Sequence, residues 1–324
     1  MAELRYNPLL NDWTMVASHR QNRPQMPKDW CPFCPGSGKV PENYDVYKYD
    51  NDFPALMEVP PEPDEVGSDL YKTRKAYGKC EVILYSPEHT ITLPELSANH
   101  IRKLVDLWLD RYVTLSKNEM NKYIFIFENR GEAVGVTMPH PHGQIYAYPH
   151  IPLKIQIELE NCKKFYVENQ QCLICRMNEE EQAFQKRIIL ENEDFITYLP
   201  FFTDYPYGVF IVSKNHKTNL IQFSDREKDN LAKILKDTTG TLDALFDDKF
   251  PYMMCMHQSP VNSDNVDDYY HFHIEFYPPM RSKDKIKYNA SSETGAWAAC
   301  NPRAVEETAE ELRKAYEKYL HKTK

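Results

Sequence analysis

A series of chemically distinctive residues occurs twice along this 324-residue chain, in the same order each time. That repetition limits the fold to one built from a duplicated unit. The first series opens with Cys31 and Cys34 and a Pro-rich stretch, "VPPEPDEVG", that reads as a surface loop. The run "CEVILYSPEH" reads as a strand ending at His89. "LSANHIRKLVDLWLDRYVTL" follows, with Ile101, Leu104, Val105, Trp108 and Tyr112 at helical spacing and Ser97 placed to cap it. "YIFIFENRG" and "MPHPHGQIYAYP" read as two more strands. The second series runs from Cys172 and Cys175 through "FITYL" and "YGVFIVSKNH", a strand ending at His216. It continues with an amphipathic helix, "SDREKDNLAKILKDTTGTLDALF", capped by Ser224 or Asp225, and ends in "YMMCMHQSP" and "YYHFHIEFYPP". Matching residues are separated by 141 (Cys31 to Cys172), 127 (His89 to His216) and 131 positions (His140 to His271), differences that loop insertions absorb. The expectation is a duplicated α+β unit, a mostly antiparallel sheet with one long helix per copy. Its halves are residues 1–160 and 161–324, meeting near 151–170.

Charge and hydropathy exclude several classes. The net charge is −9 with Lys and Arg scattered, so no basic face for nucleic acid is expected. No run of 18 apolar residues exists to cross a membrane. "MAELRYNPLL" lacks the charged start and apolar core of a secretory signal, which suggests a cytoplasmic protein. In a reducing compartment the two C-x-x-C pairs read as metal ligands or redox motifs rather than disulfides. Cys80, Cys162, Cys255 and Cys300 stand alone and read as small buried hydrophobes.

Cys31, Cys34, His89 and His140 make up a Cys2His2 set of the kind that zinc takes in tetrahedral geometry. A reduced pair without metal and a thioredoxin-like redox pair are the alternatives. In the second copy Cys172, Cys175, His216 and His271 form the equivalent set. Glu158, His257, His271 and His273 compete there as ligands for a harder metal such as iron, and the two sets share His271. Thiolates hold zinc well, which favours the cysteine set.

In His140-Pro141-His142 the period of a strand places both rings on one face and Pro141 on the other. Proline lacks a ladder donor, so the segment is an edge or a strand entry. If His140 binds metal, His142 is anchored beside it but left unligated. A neutral imidazole is a competent nucleophile near pH 7 and would form a labile phosphoramidate with phosphorus. That chemistry needs the second ring nitrogen held by an acceptor such as a backbone carbonyl, and donors for the phosphate oxygens, for which Gln144 is placed. The alternative makes both histidines metal ligands. In copy two Glu275 stands where Gln144 stands in copy one, and a carboxylate there would repel phosphate.

The segments "FENRGEAVGVTMPHPHGQIYAYP", "SPEHTITLPELS", "NDFPAL" and "HFHIEFYPP" closely resemble the galactose-1-phosphate uridylyltransferase family, a two-copy branch of the histidine-triad superfamily. The resemblance runs from about Arg20 to "SSETGAW" and beyond. It implies a histidine-triad-like unit in each half and a double displacement. His142 would take UMP from UDP-glucose, release glucose 1-phosphate, and pass the group to galactose 1-phosphate, with Gln144 stabilising the intermediate. It also implies phosphate contacts from Arg20, Arg23 and Asn129, uridine contacts from Asn51 and Phe53, and a hydroxyl at Thr137 in place of a serine. Lys287 and Glu293 lie in the stretch that approaches the hexose, often from the other subunit of a homodimer. The implied cofactor is one structural zinc, with a second zinc or an iron at the other site. A related branch carrying a second cysteine pair acts on ADP-glucose with phosphate, and a zinc protein that binds nucleotides without turnover is the non-enzymatic alternative.

Overall fold

The computed structural model describes residues 2–22, 30–136 and 138–323. In chain order its strands are β1 (Glu3–Asn7), β2 (Asp12–Val16), β3 (Tyr47–Asp50), β4 (Thr73–Lys75), β5 (Lys79–Leu84), β6 (Tyr123–Arg130) and β7 (His142–Tyr148). They continue with β8 (Ile188–Glu191), β9 (Phe195–Tyr198), β10 (Phe210–Ser213), β11 (Tyr252–His257), β12 (His273–Tyr277), β13 (Met280–Ser282) and β14 (Lys285–Ile286). The helices are α1 (Ala98–Ser116), α2 (Leu153–Asn169), α3 (Leu173–Phe184), α4 (Asp225–Phe246), α5 (Ser291–Gly295) and α6 (Val305–Thr323).

Nine strands form one antiparallel sheet in the order β3-β5-β7-β6-β11-β12-β10-β9-β8. The order mirrors itself about the β6–β11 pair, so β7 corresponds to β12 and β5 to β10. The duplication seen in the residues is therefore a duplication of topology, and the copies share a single sheet. At the seam Arg130 pairs with Tyr252 and Ile126 with Met256. Residue 160 lies inside α2, which crosses from one copy to the other.

Strand alternation gives the sheet two differently covered faces. Ile126 and Ile145 from copy one, with Met254, Ile274 and Phe276 from copy two, share one core with Trp108 of α1 and Leu231 and Leu235 of α4. The opposite face is covered piecemeal: Cys31, Phe33 and Met138 lie over Val82 and Leu84, while Cys172 and Ile174 lie over Ile196, Tyr198 and Val212. The site lies beside the first of these covers, which supplies part of its walls.

Both long helices begin at serine caps. Ser97 accepts from the His100 amide at 3.1 Å, and Ser224 forms a reciprocal capping box with Glu227. Helices α2, α3 and α6 were not expected from the pattern. Strands β5 and β10 end at Leu84 and Ser213, so His89 and His216 lie on the loops beyond them rather than at strand ends. Among the described residues no helix is long and apolar enough to cross a membrane. Replacing Ser224 by Ala removes one side of the box and lowers unfolding free energy by about 1 kcal/mol in denaturant titration.

Candidate active site

Strand β7 starts at His142, not at His140. His140 sits in the bend before it, almost wholly buried, and Pro141 is the entry residue. Simple alternation from 140 to 142 therefore does not apply. The ladder accepts the segment only at its edge, where the Tyr85 amide donates to the Pro141 carbonyl at 3.0 Å.

The His140 ring directs Nδ1 at Cys31 Sγ (3.7 Å) and Cys34 Sγ (3.6 Å), and His89 Nδ1 lies 3.4 Å from Cys34 Sγ. A tetrahedral zinc with ordinary bond lengths would separate sulfur from nitrogen by about 3.6 Å. All four ligand atoms lie within 4.8 Å of one another. The Nε2–H of His140 donates to the Ser86 carbonyl at 2.8 Å, which fixes the ring's tautomer and leaves Nδ1 the lone pair. Burial lowers the pKa of His140 to about 4, so the ring is neutral, as a ligand must be. Burial and the adjacent Cys31 thiol push Cys34 up to about 11. A bound cation would supply the charge that ionises this pair. The donor set fits a metal in number, type and spacing.

The second copy repeats the arrangement on a different local frame. Cys172 precedes α3 as its N-cap and Cys175 lies in that helix's first turn. His271 Nδ1 is 3.8 Å from Cys172 Sγ and 3.4 Å from Cys175 Sγ, and His216 Nδ1 is 3.3 Å from Cys175 Sγ. His271 Nε2 is 2.9 Å from the Ser213 carbonyl. His271 thus faces the cysteines, and the competing set expected for iron is not assembled as written. Glu158, His257 and His273 gather instead with Glu275, a separate group that does not contend for His271. The Lys154 ammonium reaches Glu275 Oε2 at 2.5 Å and lies 3.8 Å from Glu158. Burial works to raise the Glu275 pKa, but His257, His273 and Lys154 outweigh it and hold the carboxyl ionised.

His142 is only half-buried, and its Nδ1 is 2.7 Å from the His140 carbonyl. A carbonyl can only accept, so Nδ1 carries the proton and the lone pair is on Nε2. Phe33 packs against both rings, at centroid distances of 5.9 Å from His140 and 5.8 Å from His142. Two cavities meet at His142. One is lined by Asn51, Phe53, Gln144, Tyr49 and Val82. The other is lined by Asn129, Thr92, Gly131 and Lys249. In register Gln144 pairs with Phe127 and Val82, on the His142 face of β7. Arg20 donates from Nη1 to the Tyr146 hydroxyl at 3.1 Å, further along that strand. His142, Gln144, Asn129, Asn51 and Phe53 are thus brought together.

Lys287 and Glu293 are not. Lys287 is buried, donating to Asn289 Oδ1 at 2.9 Å with its ammonium 4.9 Å from the Tyr205 ring centre. Glu293 accepts from the Ala290 amide at 3.1 Å. Neither is among the described residues lining the two cavities given above. Arg23 and Thr137 lie outside the described residues. Phe33, Tyr49, Val82 and Met138 were not foreseen as cavity walls, because apolar and aromatic side chains carry no chemical signature. Tyr44 was also missed. Its hydroxyl lies 3.2 Å from His140 Nε2 and donates to the Phe33 carbonyl at 2.6 Å.

A mirrored antiparallel sheet with two cysteine–histidine knuckles, and one copy alone keeping an amide beside its second histidine, defines a two-copy α+β protein with a single asymmetric histidine site. The family models for the N-terminal and C-terminal domains of galactose-1-phosphate uridyl transferase match residues 1–152 and 158–291, and the chain belongs to that family. It is 44% identical over 314 residues to the galactose-1-phosphate uridylyltransferase of Thermotoga maritima, covering 97% of this chain and 98% of the relative. A solved uridylyltransferase superposes with a TM-score of 0.91 at 32% identity, covering 98% of this chain and 99% of that one. An ADP-glucose phosphorylase from Arabidopsis thaliana, solved with bound ADP-glucose, shares the fold with a TM-score of 0.75 at 24% identity over 97% of this chain and 98% of that one.

Gly143 answers to its surroundings. A Cβ added there would lie 2.3 Å from the Tyr85 hydroxyl and 3.0 Å from the Phe127 carbonyl oxygen. Gly143→Ala therefore costs about 1–3 kcal/mol in thermal or denaturant unfolding.

Proposed function

We propose that the chain transfers UMP from UDP-glucose to galactose 1-phosphate through a covalent His142 intermediate. The observation that carries this is the 2.7 Å bond from His142 Nδ1 to the His140 carbonyl, which puts a proton on Nδ1 and leaves Nε2 as the nitrogen for attack. In the first half-reaction Nε2 attacks the α-phosphorus of UDP-glucose. A P–N bond forms, the P–O bond to the β-phosphate breaks, and glucose 1-phosphate leaves with the electron pair. In the second, a phosphate oxygen of galactose 1-phosphate attacks the same phosphorus. The P–N bond breaks, its electrons return to Nε2, and UDP-galactose departs. No general base is needed, because nucleophile and leaving group are already deprotonated in each direction.

Gln144 and Asn129 flank His142 and supply amide donors for the α-phosphate oxygens, while Arg20 offers charge at the end of β7. The cavity walled by Phe53, Val82 and Asn51 suits a flat base and its ribose. Arg23 and Thr137 are assigned phosphate contacts on the family pattern. Zinc is the metal we assign to Cys31, Cys34, His89 and His140, and to Cys172, Cys175, His216 and His271, on the sulfur-rich donor sets. When bound, it supplies a rigid cross-link and no chemistry to the reaction. His140 would then be clamped at its ring while its carbonyl holds His142. Ligand cysteines serve only when reduced, which suits the cytoplasm.

Lys287 and Glu293 are assigned to the hexose of a neighbouring subunit's site, in a homodimer. Tyr288 and Trp297 on that segment, with Phe201 and Phe202, are large and exposed, as surface awaiting a second copy would be. Sedimentation of the purified protein at micromolar concentration is expected to give a mass of two chains; a monomer would remove the role of these two residues.

Incubation with UDP-glucose labelled in the uracil ring should leave label on His142, mapped by peptide mass spectrometry. His142→Asn should reduce transfer to below roughly a thousandth with metal content intact. Adenine label from ADP-glucose on His142, without uracil label, would instead place the chain with the phosphorylases.

A further inference from the structure

Glu128 immediately precedes Asn129 on β6 and points to the other face, into the core beneath the helices. It is 5% exposed. A carboxyl in such a place costs free energy unless it is paired or neutral, and among the described residues Glu128 has no ion pair. The nearest guanidinium, Arg130, is engaged elsewhere, bonded twice to Asp243 at 2.8 Å and lying 5.4 Å from the Tyr252 ring centre. The Tyr252 hydroxyl donates to Glu128 Oε1 at 3.3 Å. The other oxygen, Oε2, is buried without a hydrogen-bond partner, and so is the Tyr85 hydroxyl that interacts with this carboxyl. The two buried polar atoms can satisfy one another in either state, the phenol donating to a carboxylate or the acid to the phenol; what favours the proton is burial with no cation paired to it. Burial agrees, raising Glu128 from 4.5 to about 7 against the opposing pull of Arg130, Tyr252 and Tyr85.

Tyr85 connects this acid to the nucleophile. Its amide donates to the Pro141 carbonyl at 3.0 Å, just before His142. Its hydroxyl lies against Gly143, just after His142, closely enough to forbid a Cβ there. Trp108 holds the ring from behind, edge-on at 6.1 Å. Tyr85 thus grips the backbone on both sides of His142, and Glu128 acts on Tyr85 from below.

We infer that Glu128 is a positioning residue, a buried neutral acid that steadies Tyr85 against Gly143 and so fixes the direction of the His142 ring. It rests on His142 being the reactive group. Ionisation would set an unpaired negative charge in the core beneath a site built for phosphate. Facing the carboxyl are Tyr85 after β5, Arg130 on β6, Tyr252 on β11 and Asp243 on α4, and Lys249, Glu132, His140 and His142 line the cavity that Glu128 also borders. A carboxyl whose folded pKa is raised binds its proton more tightly folded than unfolded. The penalty it imposes on stability is absent below the unfolded pKa, grows as pH rises, and is complete above the folded pKa.

Two measurements without nucleotide test this, so that failure of uridylyl transfer and failure of this inference are separable. The first is Tm against pH for the wild type and Glu128→Gln, whose amide mimics the neutral acid. The Gln variant should gain on the wild type steadily between about pH 5 and about pH 8. The second is the rate of His142 carbethoxylation by diethyl pyrocarbonate, followed by mass spectrometry. Glu128→Ala should change that rate by about fivefold or more, with Glu128→Gln within about twofold of the wild type at pH 6. Should the Ala variant fail to fold, Tyr85→Phe, which deletes only the hydroxyl, is expected to shift the rate in its place. A Tm difference that stays flat with pH, or a His142 rate indifferent to Glu128→Ala and Tyr85→Phe alike, overturns the inference.

Discussion

The hydrogen bond from His142 Nδ1 to the His140 carbonyl is the contact on which the site depends. It selects the tautomer, aims the ring, and ties it to a residue that is itself immobilised. His140 is held by the Ser86 carbonyl, by the Tyr44 hydroxyl and by two cysteines. The role proposed for His142 requires a ring that no metal holds yet is placed to within a fraction of an ångström. Here the rigidity lies at His140, whose backbone carbonyl positions the His142 ring.

The second copy shows which parts of that arrangement are scaffold. His273 repeats the tautomer bond, with Nδ1 2.9 Å from the His271 carbonyl. What differs is the surroundings. Phe210 stacks on His273 at 5.6 Å, and Glu275 occupies the position of Gln144. Lys154 on α2 brings its ammonium onto that carboxylate. The half-buried histidine of copy one corresponds, in copy two, to a buried member of a charge-balanced cluster. A shared backbone motif thus faces cavities beside Gln144 and Asn129 on one side of the seam and a buried charged cluster on the other.

Much of this was legible in the residues because ligand and nucleophile chemistry requires particular side chains at particular spacings. Cys31, Cys34, His89 and His140 stood out before any coordinates, as did the repeat that pairs them with the second set. Strand ends were less legible. His89 and His216 occupy loops, because apolar runs mark where a ladder is buried but not where it stops. The partition around His271 was illegible, since Glu158, His257 and Glu275 come from three separate elements and only the fold says which ring each one faces. Glu128 gave no signal either. In "FENRG" it reads as a surface charge, and only alternation on a buried strand turns it inward.

The β6–β11 seam carries a consequence for how the molecule could have arisen and how it can be divided. Each of these strands, taken alone, would be the rim of a half-sheet, and β6 in particular carries Ile124, Phe125, Ile126 and Phe127 in succession. An uncovered rim of that length and apolarity invites pairing with any passing chain. The two copies shield one another from that fate, so a fragment ending after β7 would inherit a sticky margin that the intact polypeptide never displays.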